Sequence, residues 1–66
     1  MNRDDRLIRD YALDEIRAIV TILKLPHDRK TYLEGKRWYE HHKTELKQLG
    51  YTKKVLRIPK HNQKRN

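Results

Sequence analysis

The sequence predicts an all-α protein, an antiparallel hairpin of helices at about residues 4–25 and 28–49. Apolar residues recur at three- and four-residue spacing on both sides of Pro26, and Pro26 and Gly50 stand where helices would stop. A short docked segment at 52–58 and a basic, disordered tail at 60–66 complete the predicted architecture, with 1–59 forming a single small helical domain.

In the first element Asp4 and Asp5 suit the cap and first turn, where carboxylates meet unpaired backbone N–H groups and the positive end of the helix dipole. Ile8, Ala12, Ile16, Ile19 and Leu23 follow the spacing of one helical face, the expected core side. Asp14 offers an alternative cap for a helix starting at Glu15, but a continuous helix is the preferred expectation. Toward its end the apolar surface widens to Ile19, Val20, Ile22, Leu23 and Leu25, more than one partner helix is expected to cover. That surplus predicts a second interface, with a homodimer as its simplest form.

The second element is bounded by Asp28, a good N-cap, and by Leu49-Gly50-Tyr51, where Gly50 fits the left-handed position after a helix. Tyr32, Gly35, Tyr39, His42, Leu46 and Leu49 alternate steps of three and four, a heptad-like seam that fits against the first helix. Gly35 in mid-helix costs about 1 kcal/mol relative to alanine, so a close backbone approach is expected there. Trp38 falls on the flank of the seam. The stretch 52–58 reads either as an extended piece or as a short third helix ended by Pro59. Glu45 through Ile58 also resembles a helix-turn-helix, with Leu49-Gly50-Tyr51 as its tight turn and Leu56 facing inward. Glu45, Leu46 and Pro59 depart from that motif, and a plain helix C-cap explains Leu49-Gly50-Tyr51 equally well.

Composition narrows the function classes. The chain has 66 residues, 17 lysines and arginines against nine acids, and a formal charge of +8. The excess grows along the chain: 1–25 carries five basic and five acidic side chains, 26–50 carries six and four, and 51–66 carries six and none. A field of this sign attracts polyanions. No cysteine points to an oxidising compartment, no window approaches the apolar length of a membrane span, and the charged start lacks a signal-peptide core. An intracellular, cytoplasmic protein is expected. With no serine or cysteine nucleophile and no glycine-rich phosphate loop, an enzyme is not expected. Neither is a cofactor. His41 and Glu45 lie one turn apart, as ligands can, but His41 and His42 point about 100° apart, and two ligands make no metal site.

The strongest functional pattern lies on the second helix, where Arg29, Lys36 and Lys43 recur every seven residues and Lys47 continues the row. Lys30 and Arg37 widen it, Glu40 interrupts it, and Lys53, Lys54, Arg57, Lys60, Lys64 and Arg65 extend the basic surface. Phosphate contacts give nucleic-acid affinity before base preference, so the leading expectation is a small, non-enzymatic, regulatory protein that binds DNA or RNA. The alternative is an adaptor or inhibitor that docks on an acidic protein surface through Trp38, Ile19, Ile22 and Leu25.

Overall fold

The computed structural model describes residues 3–60 and contains two helices, α1 (Arg3–Lys24) and α2 (Arg29–Gln48). They pack antiparallel into an elongated body of 49 × 16 × 15 Å, one helix pair thick. The predicted ends at 4–25 and 28–49 differ from these by a residue each, and for α2 the difference is its two caps, Asp28 and Leu49. Helix α1 is continuous through Asp14, so that residue caps nothing.

Local chemistry fixes the boundaries. Pro26 lacks the N–H that another turn of α1 would need, and the last carbonyls turn back on themselves, with Leu25 N donating to Ile22 O at 3.1 Å. Asp28, in extended conformation, accepts the Thr31 backbone N–H at 2.8 Å and starts α2. At the other end Gly50 N donates to Lys47 O and Tyr51 N to Leu46 O, both at 3.0 Å. That bonding pattern requires a left-handed residue, and Gly50 supplies it with φ +83.

The core is a single seam. Ala12, Ile16, Val20 and Leu23 of α1 are buried with Tyr39, His42 and Leu46 of α2. Gly35 lets the helices close: a Cβ built there would lie 3.2 Å from Leu23 Cδ1 and 3.4 Å from Ile19 Cγ2, as the sequence leads one to expect. Ile8, placed on the core face by its spacing, is 42% exposed. It lies about 80° from Ile16 around α1, on the rim of the buried stripe.

A helix pair covers one line of contact and leaves a groove on each flank. The chain fills one of these itself. After Gly50 it runs without helix to Lys60, and Tyr51, Val55 and Ile58 pack against the core cluster. The Tyr39 hydroxyl donates to Leu56 O at 2.6 Å across this junction. The docked segment is therefore irregular rather than a third helix. That outcome removes the helix-turn-helix alternative, because no recognition helix follows the turn. The estimate of surplus apolar surface is also corrected: Val20 and Leu23 are buried and Ile19 is partly buried against the core, leaving Ile22 and Leu25 outside. Most of the predicted tail, 61–66, lies outside the described residues.

Two expected outcomes follow. Tyr39→Phe removes the hydroxyl bond to Leu56 but keeps the ring, so thermal unfolding should show a loss of about 1 kcal/mol, and amide exchange should rise in 52–58 more than in the helices. The second concerns Asp28, whose carboxyl is held below its usual 3.8 chiefly by the Thr31 backbone N–H and then by other hydrogen bonds with Thr31. A carboxyl lowered on folding stabilises the protein above its unfolded pKa and loses that contribution as pH falls through the folded value. Asp28→Asn, which keeps a cap acceptor, should flatten the acid limb of the Tm profile below about pH 4. Asp28→Ala should lower Tm at neutral pH as well.

Candidate functional site

Helix α2 displays its basic residues by simple periodicity. Arg29, Lys36, Lys43 and Lys47 fall within about 40° of one another around the axis, roughly 95° from the buried seam. All four are exposed, and among the described residues none forms an ion pair with a carboxylate. Lys43 is anchored, its Nζ lying 5.4 Å from the centroid of the Tyr39 ring, where the π face attracts a cation.

The docked segment completes this flank. Between it and α2 runs an open cleft of about 230 Å³, with Lys43 and Lys47 on one wall, Lys53 on the other, and Tyr51 and Val55 beneath. Glu40 and Thr44 also line it, so the sequence's expectation of an acidic interruption places the carboxylate at the cleft itself. Lys54 parts company with its neighbour. It lines a separate depression of about 380 Å³ on the α1 side, with Leu13, Asp14, Arg17 and Leu56. Lys30 and Arg37, about 80–100° from Arg29 around α2, are exposed toward solvent, as are Arg57 and Lys60 on the segment. Lys64 and Arg65 lie outside the described residues.

The opposite flank has a different character. Trp38 projects there, 55% exposed, over a shallow groove of about 220 Å³ lined by Ile19, Ile22, Leu23 and Gly35 together with Thr31 and Glu34. Ile22 is 51% exposed and Leu25 59%. Of the residues proposed for partner binding, Ile19, Ile22 and Trp38 come together in this groove, while Leu25 stands beyond it at the end of α1.

Next to Trp38 sits a cluster that residue spacing alone did not reveal. His42 is buried to 5% exposure, and its Nδ1 donates to Glu45 Oε1 at 2.8 Å. The other carboxylate oxygen, Oε2, lies 3.8 Å from His41 Nε2. The two histidines do diverge by about 100°, but Glu45 projects between them one turn later, about 40° from one and 60° from the other. The sequence counted His41 with Glu45 and overlooked that His42, three residues before Glu45, reaches the same carboxylate. Rings frame the group: Trp38 meets His41 edge-on at 5.6 Å and stacks with His42 at 6.1 Å, while Tyr11 meets His42 edge-on at 5.9 Å.

No protein-family model, curated protein or solved structure matches this chain. Among the described residues, no helix is long and apolar enough to cross a membrane.

The floor of the apolar groove can be tested at Gly35. Alanine there gains helix propensity, about 1 kcal/mol, against a contact that the methyl ends of Leu23 and Ile19 can relieve by shifting into the groove. Gly35→Ala should therefore leave stability within about 1 kcal/mol of the parent. Gly35→Val, which adds bulk the groove floor cannot absorb, should cost about 1–3 kcal/mol in chemical denaturation.

Proposed function

We propose that this protein binds nucleic acid, DNA or RNA, through phosphate contacts, as a small non-enzymatic regulatory protein of the cytoplasm. The observation that carries the proposal is the row Arg29, Lys36, Lys43, Lys47, exposed along one line of α2 and without ion-pair partners among the described residues. Eighteen residues of helix at about 1.5 Å each make the row about 27 Å long, enough to follow several phosphates of a duplex backbone. Lys53 faces it across the cleft, and Arg57 and Lys60 add charge from the same segment. Rigid placement matters, since ammonium groups held at fixed spacing on a helix lose less freedom on binding than those on a loose chain. Contacts of this kind set affinity and register and leave base choice open.

The apolar flank supports a second reading, an adaptor that docks on an acidic protein surface. Trp38 with Ile22 and Ile19 forms the sort of aromatic-anchored patch that contributes most at protein interfaces, and the chain's net charge of +8 favours an acidic partner. Self-association through the same groove is the form of this reading that needs no other chain.

Salt dependence separates the readings. If the row neutralises phosphates, log affinity for a short duplex should fall linearly with log salt, and Lys36→Gln or Lys43→Gln should each flatten the slope by about 0.9. Both changes should act about equally on all sequences, whereas Lys24→Gln on α1 should do little. Trp38→Ala should leave nucleic-acid affinity intact under the first reading and should be the most damaging single change for a protein partner under the second. Failure of duplex, single strand and RNA hairpin alike to bind below about 100 μM in roughly 50 mM salt would overturn the first.

A further inference from the structure

We propose that His41, His42 and Glu45 form a binding site for a divalent transition-metal ion of the zinc class. The ligand atoms of these three side chains lie within 4.8 Å of one another. Donors that share a zinc ion at about 2.0–2.2 Å stand roughly 3.4 Å apart, so closing the site takes a shift of about 1 Å in the more mobile pair. Those are His41 and Glu45, whose side chains are 54% and 33% exposed and open the site to solvent. His42 does not need to move. It is buried, with its ring held by Tyr11 and Trp38, so one ligand is already positioned by the core.

The electrostatics also favour a cation. Both oxygens of Glu45 face imidazoles, and among the described residues no lysine or arginine pairs with this carboxylate. A metal ion supplies the missing positive charge and replaces the hydrogen bond between His42 and Glu45. His42 Nδ1 must then present a lone pair, so its proton moves to Nε2 or leaves to solvent. Two imidazoles and one carboxylate select zinc, nickel, cobalt or copper over magnesium or calcium, which prefer all-oxygen sets. Three protein ligands leave the remaining coordination positions to water. The ion would sit on the Trp38 flank, away from the basic row, and would tie consecutive turns of α2 together beside the apolar groove.

Titration of the full, untagged chain with zinc sulfate tests the proposal, read by calorimetry and by fluorescence of Trp38, the only tryptophan. One zinc per chain should bind in the micromolar range. Nickel or copper should quench Trp38, whose ring centroid is 5.6 Å from that of His41, with zinc competing the quench away. His41→Ala and Glu45→Gln lie outside the buried core and should keep the parent's helicity and Tm while weakening zinc by about tenfold or more. His27→Ala and His61→Ala should change neither. The proposal is overturned if no saturable binding occurs up to about 1 mM zinc. It is overturned equally if the folded His41→Ala and Glu45→Gln proteins bind zinc as the parent does.

Discussion

The hydrogen bond from the Tyr39 hydroxyl to Leu56 O joins the parts of this molecule that would otherwise be separable. Two helices can bury only the line along which they touch, and in a body with short axes of 16 and 15 Å the cover of one flank comes from the returning chain. Tyr39 lies in that line, 4% exposed, and its ring contributes to the seam while its hydroxyl reaches out to hold the returning chain. The same ring carries the Lys43 ammonium above it. A single side chain thus packs the core, satisfies a backbone carbonyl and steadies one member of the basic row. A buried phenol hydroxyl without a partner would be costly, which explains why the segment must dock where it does.

From that closure follows the asymmetry of the surface. The segment carrying Lys53, Arg57 and Lys60 covers the Leu13 side of α1 and the Leu46 side of α2, and brings its positive charge beside the charge already on α2. The other flank keeps its apolar residues open, with Trp38 and Ile22 in one groove and the histidine cluster against Trp38. A chain of this length buries only about 60% of the surface its unfolded form exposes, so some apolar area must stay outside. What is specific to this sequence is that Trp38, Ile22 and Ile19 share one groove on the side the chain does not cover.

Much of this was legible in the residues. The spacing around Ile16 and Tyr39 placed both buried faces, Asp28 and Gly50 marked the limits of α2, and Gly35 announced the close approach of the helices. The failures share a cause, namely interactions between elements that local spacing does not encode. The run Val55-Leu56-Arg57-Ile58 is too short for periodicity to distinguish a helix from an extended piece, and its conformation is decided by the groove it fills and by the Tyr39 hydroxyl. Val20 belongs to the apolar surplus at the end of α1 and is nevertheless buried, because which of those residues are covered depends on tertiary packing. At the histidines the seam spacing places His42 in the core, where it is, while its bond to Glu45 depends on the side-chain conformations that the core imposes. The basic row was legible as a pattern, whereas the turn of Lys54 toward α1, away from Lys53, depends on the path of the docked chain.

The two flanks stand close enough to share a helix and far enough apart to act separately. At physiological ionic strength charges on a solvated surface are screened over about 8–10 Å, and the row and the histidine cluster point to opposite sides of α2, with His41 and Lys43 about 160° apart around a helix roughly 10–12 Å across. A polyanion along Arg29, Lys36, Lys43 and Lys47 would therefore feel little of a cation held by His41, His42 and Glu45, and an occupant of the Trp38 groove would little disturb the field of the row. Coupling between them has to pass through packing instead, and the contact available for it is short: His42 touches Trp38 on one flank, Tyr39 lies beside it in the seam, and Lys43 stands over Tyr39 on the other. These are consecutive turns of one rigid helix, which transmits a displacement only if the helix shifts as a unit against α1. At Gly35, where a Cβ would lie 3.2 Å from Leu23 Cδ1, the helices leave little room for such a shift. The physical expectation is of flanks that bind independently, each with its own chemistry, on a scaffold whose docked chain is itself part of one of them.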